Sequence, residues 1–285
     1  MRRARENGRG ENYRVRFLKS LTEEGLAVFS ASEARRIAEE NGIPGTYINR
    51  LLSFLARDGW ITRLKRGLFA RIGPLSGDIQ IHPFAIATHM IVPSAISHWS
   101  ALHHHGLTEQ VPGIVTAITP KKIVTPGMRL DSSVERTSRR HGWLVEGVLY
   151  EYRSVKEEHY FGIEEIWVDQ YSRVPIMDRE RAALDLFVSP RAFGGMGEVL
   201  GIMDEHLSSL NVERLVGYAC RYGKIAPAKR LGWLLERSSV PQKILEPLLA
   251  IPAAGYLLLD PSGQNEGIFE KRWNIRVNLG RGRIS

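Results

Sequence analysis

The chain has 285 residues and a formal net charge of +8 at pH 7, and 43% of its residues are hydrophobic. This length predicts two domains, because a globular domain has about 150 residues, and the composition excludes a wholly disordered chain. A single cysteine, Cys220, excludes an intramolecular disulfide framework and a cysteine-rich zinc module, and it fits a reducing, cytoplasmic location.

The basic charge is concentrated at the start of the chain. Residues 1–75 contain 15 basic and 8 acidic side chains, residues 76–270 contain 19 basic and 23 acidic ones, and residues 271–285 add five basic and no acidic ones. A basic N-terminal part beside a mildly acidic body predicts contact with a polyanion. The alternative is a basic surface that only keeps the protein soluble.

Residues 1–11 are predicted to be a disordered basic tail, and residues 12–73 a small domain that begins with three helices. Apolar side chains between Tyr13 and Leu21 recur at helical spacing and predict a first helix that ends at Gly25. The tail has no such pattern, so a separate domain is expected to begin at residue 12.

Two further helices are predicted from local signals. Ser30 and Glu33 stand at the spacing of a capping box, which opens a helix that stops near Gly42. A third helix is expected from about Thr46 to Arg57, because its aliphatic residues fall within one stripe about 100° wide. The stripe consists of Ile48, Leu51, Leu52 and Leu55.

The opposite side of the third helix carries arginine, amide and hydroxyl groups and no acid. Arginine and asparagine can form bidentate hydrogen bonds to base edges in the DNA major groove. The predicted base-reading residues are Thr46, Asn49, Arg50 and Ser53, with Tyr47 on the flank of the same face and Arg57 as a phosphate contact.

A basic hairpin is predicted directly after the third helix, turning near Gly67, where a positive φ is easiest. Its charged residues are all basic and are predicted to neutralise phosphates: Arg63, Lys65, Arg66 and Arg71. Three helices followed by a basic hairpin is the order of a winged helix-turn-helix DNA-binding domain. The alternative is a small helical domain whose polar face is only solvated.

The composition of residues 73–77, Gly-Pro-Leu-Ser-Gly, predicts a linker, so a larger C-terminal domain is expected over residues 78–285. Aromatic and β-branched runs predict strands between about 113 and 177, and residues from about 178 to 250 are predicted to be helical. The predicted fold class is therefore α+β: an N-terminal winged helix-turn-helix domain followed by a larger mixed α/β domain that ends in a helical bundle.

Two segments resemble the AbiEi family of antitoxins, the regulators of type IV toxin–antitoxin modules that act in abortive infection. The first is Ser94–Pro112, which reads SAISHWSALHHHGLTEQVP, and the second is the hairpin with Gly59-Trp60 and Arg66-Gly67-Leu68-Phe69. A weaker likeness is Asp178–Asp185, DRERAALD. The matching motifs are dense over about 28–122 and thin afterwards.

The resemblance implies a transcriptional repressor that binds inverted repeats in the promoter of its own operon. It also implies an antitoxin that counters a nucleotidyltransferase-like toxin, by a route thought not to need a stable complex of the two proteins. A protein-binding antitoxin that docks its toxin through the acidic body is a further reading. None of these functions follows from composition or spacing.

No catalytic, cofactor-binding or metal-binding residue is predicted. His98 and His105 share a helical face, but no carboxylate accompanies them at a metal-ligand spacing, so local hydrogen bonding is expected instead. A metal-dependent nuclease with a winged-helix targeting domain is the enzymatic alternative, although acidic residues near the predicted strands lack the usual Glu-x-Lys pattern. A membrane partner is not expected: no apolar stretch reaches about 20 residues, and residues 1–12 lack the apolar core of a secretory signal.

Overall fold

A computed structural model describes residues 2–72, 81–123, 142–145, 147–169 and 172–279, with side chains from Tyr13 onward. The chain is mixed α+β. It divides into two compact units: the first comprises Met1–Ser94, Leu144–Val148 and Glu165–Pro175, and the second comprises Ala95–Trp143, Leu149–Glu164 and Ile176–Ser285. The predicted linker at 73–77 lies outside the described residues, while the first unit extends to Ser94.

The first unit contains four helices and a small antiparallel sheet in its described N-terminal part. Their bounds are α1 Arg2–Glu23, β1 Val28–Ser30, α2 Ala31–Glu40, a 3-10 turn Gly45–Tyr47, α3 Ile48–Arg57, β2 Ile61–Lys65, β3 Leu68–Arg71 and α4 Pro83–Met90. The sheet has the order β1-β3-β2. The predicted three helices and hairpin are present in the predicted order.

Helix α1 begins earlier than the sequence predicts. Its backbone is helical from Arg2, so residues 2–11 are not the disordered tail expected from their composition. Arginine and glutamate have high helix propensity, and the sequence of residues 2–11 has no apolar periodicity that would predict a helix.

The core of this unit lies between the apolar faces of α1, α2 and α3. Phe17 and Leu21 from α1 meet Ile37 from α2 and the leucine stripe of α3, and all of these side chains are buried. Phe29 from β1 completes the contact, with its ring 6.1 Å from that of Phe17. The helical stripe read from the sequence is therefore the face that packs.

Local hydrogen bonds define where α2 begins. The Glu33 amide donates to Ser30 Oγ at 3.2 Å, and the Ser30 amide donates to Glu33 Oε2 at 2.6 Å. These two bonds are the reciprocal pair of a capping box, as predicted, and they satisfy amides that the helix leaves without a backbone partner. The cap also places β1 directly before α2.

The hairpin turns at Arg66-Gly67, where Gly67 has a φ of +77°. Strands β2 and β3 pair antiparallel from Ile61 opposite Arg71 to Lys65 opposite Leu68, with a register shift between Arg63 and Lys65. The predicted turn position is confirmed.

The second unit has a sheet and a set of helices. Strands β4 Ala95–Ile96, β5 Ile114–Thr119 and β7 Val148–Ser154 pair in the order β7-β5-β4, and Ile96 pairs with Ile176 of β9. The remaining strands of the middle region are β6 Gly142–Val145, β8 Ile163–Trp167 and β9 Arg173–Met177. Strands β5 and β7 are parallel, whereas β4 and β5 are antiparallel.

The helices of this unit are α5 His98–His104, α6 Arg179–Val188, α7 Met196–His206, α8 Val212–Tyr222, α9 Ile225–Arg237 and α10 Gln242–Leu249. A three-stranded sheet follows: β10 Leu257–Leu258, β11 Ile268–Glu270 and β12 Ile275–Val277, in the order β10-β12-β11. The strand-rich and helical regions occur where the sequence predicts them.

One side chain links the C-terminal sheet to the helices. Trp273 is fully buried, and a Cβ placed on Gly232 of α9 would lie 2.0 Å from its Cζ3 atom. Only glycine at position 232 leaves room for the indole, whose Nε1 donates to Glu236 Oε2 at 2.7 Å. Gly232 therefore fixes the position of the C-terminal segment against α9.

Candidate nucleic-acid interface

Helix α3 has one buried face and one exposed polar face. Ile48, Leu51 and Leu55 are 1%, 0% and 0% exposed, whereas the predicted base-reading residues are all on the surface. The exposed set is Thr46 in the preceding 3-10 turn, with Asn49, Arg50, Ser53 and Arg57 on the helix. The structure therefore brings these five side chains to one accessible side.

The hydroxyl of Ser53 and the ring of Tyr47 have partners within the protein. Ser53 Oγ donates to the Asn49 carbonyl oxygen at 2.8 Å, which leaves its lone pairs able to accept a hydrogen bond. Tyr47 is half-buried against the core, with its ring 5.7 Å from that of Tyr13. Tyr47 thus lies at the edge of the exposed face and packs mainly against the core.

Three guanidinium groups surround the ring of Phe54. Those of Arg14, Arg50 and Arg57 lie 4.7, 5.3 and 4.9 Å from the ring centroid. Distances of this size give cation–π attraction, worth about 0.5–1 kcal/mol at an exposed site. The sequence does not predict that Arg14 joins this cluster. The only indication of it there is the position of Arg14 beside Tyr13 on the first helix.

Asp58 lies beside this surface, and its carboxylate is paired twice. Its carboxylate lies 3.1 Å from Arg14 Nη1 and 2.9 Å from Arg57 Nε. Because Asp58 is held by two arginines, it offsets part of their charge without turning the surface acidic.

The hairpin adds further basic side chains, and three of its four are exposed. Two of these are Arg63 and Arg66. Lys65 is also on the surface, and its ammonium donates to the Met90 carbonyl oxygen.

Arg71 departs from the predicted role in phosphate binding. It is only 4% exposed, and its Nη1 donates to Thr22 Oγ1 of α1. The end of β3 lies against α1, so this guanidinium connects two elements of the unit. We therefore leave Arg71 out of the candidate interface, which is defined as Thr46, Asn49, Arg50, Ser53, Arg57, Arg63, Lys65 and Arg66.

The histidines considered as metal ligands are hydrogen-bonded within the second unit. His98 Nδ1 lies 2.9 Å from Ser97 Oγ, and His105 Nε2 lies 2.7 Å from the Met177 carbonyl oxygen. Among the described residues, no group of three or more His, Cys, Asp or Glu side chains is placed to hold a metal ion. In the same part of the chain, no helix is long and apolar enough to cross a membrane.

A buried ionic cluster organises the start of α6. Asp178 Oδ1 accepts from the Arg181 amide at 2.8 Å, and its Oδ2 accepts from Tyr218 at 2.6 Å and from Arg214 at 2.9 Å. Both oxygens of this carboxylate accept hydrogen bonds, from donors on α6 and α8. The arrangement is that of a helix cap tied to a neighbouring helix, and it explains the polar start of the DRERAALD segment.

No family model and no curated protein matches the chain. Among solved structures, it is similar to the crystal structure of the RV2827C protein from Mycobacterium tuberculosis, with a TM-score of 0.60 and 16% sequence identity. The match covers 93% of this chain and 90% of that chain. At this level of identity the likeness concerns the fold alone.

Proposed function

We propose that the chain is a DNA-binding transcriptional regulator whose first unit carries a winged helix-turn-helix. In this proposal, α3 enters the major groove as the recognition helix, and the β2–β3 hairpin is the wing that follows the phosphate backbone. The order of helices and strands in residues 12–71 supports the assignment. Thr46, Asn49, Arg50 and Ser53 contact base edges, while Arg57, Arg63, Lys65 and Arg66 bind phosphates.

The observation that carries the proposal is the sign of the exposed charges. Arg50, Arg57, Arg63, Lys65 and Arg66 are all on the surface of α3 and the hairpin, against the single, already paired Asp58. A protein surface that contacts only solvent commonly carries charges of both signs. A helix about 10–12 Å in diameter also fits a major groove about 12 Å wide.

The biological role we propose is that of a repressor and antitoxin in a type IV toxin–antitoxin module. The support is the resemblance of Ser94–Pro112 and of the hairpin to the AbiEi family. In this role the protein binds inverted repeats in its own promoter and counters a nucleotidyltransferase-like toxin, acting in the cytoplasm without catalysis of its own. Double-stranded DNA is thus the proposed direct ligand, and the toxin is the functional partner.

The test uses fluorescence anisotropy with a duplex from the region upstream of the gene and a shuffled duplex of equal length. Arg50→Ala should weaken binding to the upstream duplex by about 1–3 kcal/mol and affect the shuffled duplex less, because a base contact specifies sequence. Arg66→Glu should weaken both duplexes together, because a phosphate contact carries no sequence information.

The matched control is Lys156→Glu, which reverses an exposed charge in the second unit. It should leave both affinities unchanged at fixed salt. Equal binding of wild type and Arg66→Glu would refute the wing assignment. Metal-dependent cleavage of either duplex would instead favour the nuclease.

A further inference from the structure

A cavity of about 370 Å³ in the second unit lies between the start of α5 and the parallel strands β5 and β7. This volume is within the range of about 300–1,000 Å³ that small-molecule sites occupy. The segment Gln110–Gly113 forms its rim. The DNA-binding role proposed for the first unit makes no use of this cavity.

The strand register brings polar side chains to its floor. Thr116 of β5 pairs with Glu151 of β7, and Ile118 pairs with Arg153. Because successive residues of a strand point to opposite faces, Glu151 and Arg153 share one face with Thr116. All three line the cavity.

Glu151 and Arg153 carry opposite charges, and neither side chain is paired with another described residue. Two strand residues on one face are about 7 Å apart along the strand, and no salt bridge or hydrogen bond joins either side chain to another described residue. Both charges therefore remain available to a ligand. With a neutral His98, the two charges cancel, and the charged lining of the cavity is net neutral.

His98 and Thr116 add two buried polar groups to the lining, and each is 7% exposed. His98 Nδ1 is occupied by Ser97 Oγ, but neither His98 Nε2 nor Thr116 Oγ1 has a hydrogen-bond partner among the described residues. Neither atom is fully shielded from solvent, so a ligand in the cavity can reach both. His98 also has a φ of +52°, a conformation that non-glycine residues seldom adopt and that is enriched at binding sites.

The remaining wall is apolar and held in place. Trp99 donates from Nε1 to the Ala192 carbonyl oxygen at 3.0 Å, and its ring lies 5.3 Å from that of Phe193. Ile114 and Pro112 complete this side. The cavity thus combines a fixed aromatic surface with one cation, one anion and two unfilled hydrogen-bonding groups.

We propose that this cavity binds a free α-amino acid with an apolar or aromatic side chain. The ligand carboxylate pairs with Arg153 and hydrogen-bonds to Thr116, the ammonium pairs with Glu151, and the side chain packs on Trp99. A net-neutral lining matches a zwitterion, which has no net charge. A nucleoside monophosphate would place a doubly charged phosphate in a cavity that also holds Glu151, which costs Coulomb energy.

The test is isothermal titration calorimetry of the purified full chain with each of the twenty standard amino acids. At least one apolar or aromatic amino acid should bind with a Kd below about 1 mM. Arg153→Gln and Glu151→Gln should each weaken that binding about tenfold or more, because hydrogen bonds to charged groups contribute about 1.5–3 kcal/mol. The N-acetylated amino acid should bind wild type weakly and lose little further affinity to Glu151→Gln.

Two exposed strand residues that do not line the cavity supply the controls. Arg173→Gln and Glu165→Gln remove a surface ion pair of 3.2 Å and should leave amino-acid binding unchanged. The melting temperature of each variant without ligand shows that it is folded. The proposal is overturned if no amino acid binds, if the cavity variants bind as wild type does, or if nucleoside 5′-monophosphates bind and amino acids do not.

Discussion

At the scale of single residues, Gly232 shows how one missing side chain fixes a contact far along the chain. Gly232→Ala would place a Cβ 2.0 Å from Trp273 Cζ3, so the indole or the helix must move. We expect the free energy of unfolding to fall by about 1–3 kcal/mol, the usual cost of overpacking a core. Urea denaturation measures the change.

The matched control is Gly201→Ala on α7. Gly201 is also helical, and an added Cβ there meets nothing within 4 Å. This variant should be more stable by about 0.5–1 kcal/mol, because alanine favours the helix over glycine. Equal effects of the two substitutions would show that the packing of Trp273 does not require the space left by the missing side chain of Gly232.

His98 gives the protein a specific dependence of stability on pH. Burial lowers the pKa of His98 to about 4, while Asp185 partly opposes the shift and Arg153 and Arg181 add to it. With an unfolded pKa near 6.5, the unfolded chain binds a proton first as the pH falls. The free energy of unfolding should therefore decrease between about pH 6.5 and pH 4, by up to about 3 kcal/mol from this residue.

His98→Asn isolates that contribution, because asparagine tolerates a positive φ and does not titrate. Urea denaturation of both proteins at pH 7 and pH 4.5 gives the comparison. The variant should lose less stability than wild type over this interval, since all other groups titrate in both proteins. Identical losses would mean that His98 is accessible to protons in the folded state.

At the scale of secondary-structure elements, the accuracy of the sequence-based predictions depends on how local the deciding interaction is. The start of α2 follows from Ser30 and Glu33. The start of α6 follows from Asp178, whose side chain accepts a hydrogen bond from the Arg181 amide three residues later. The side-chain environments of Arg71 and Lys65 could not be predicted in this way. Their partners are Thr22 and the Met90 carbonyl, 49 and 25 residues away.

The candidate interface shows the same division. Helical periodicity predicts which side of α3 is exposed, because the apolar stripe must be buried. It does not predict that Arg14 from α1 joins Arg50 and Arg57 on Phe54, which requires the packing of two helices. The sequence does not predict the cavity of the second unit for the same reason, since Thr116 and Glu151 meet only through strand register.

The capping box of α2 can be tested directly. Ser30→Ala removes the acceptor for the Glu33 amide and should lower the free energy of unfolding by about 1 kcal/mol. Ser30→Thr should retain most of the stability of the wild type, because a threonine hydroxyl can accept the same hydrogen bond. Chemical denaturation followed by circular dichroism distinguishes them, and equal stability of all three proteins would argue against the cap.

At the scale of the whole molecule, the net charge of +8 is an average over parts of opposite sign. Residues 76–270 contain more acidic than basic side chains, so the proposed DNA contact involves only the local basic surface. Four phosphate contacts, from Arg57, Arg63, Lys65 and Arg66, predict a slope of about −3.6 for log K against log salt concentration. Anisotropy titrations at several salt concentrations measure it.

Substituting Arg63 by glutamine should reduce the magnitude of that slope by about 0.9, because one fewer counterion is released. The same substitution at Arg173, whose guanidinium already pairs with Glu165 and which is not part of the candidate interface, should leave the slope as it is. A slope near zero for the wild type would exclude electrostatic binding to DNA through this surface.

The contacts of the Phe54 ring bear on the entropic cost of the proposed DNA binding. Arg14, Arg50 and Arg57 all rest on it, so the free protein already restricts side chains that would otherwise sample many rotamers. Ordering a flexible side chain on binding costs about 0.5–1.5 kcal/mol. Because Arg50 and Arg57 are restrained in the free protein, much of this ordering would already be complete when α3 binds DNA as proposed.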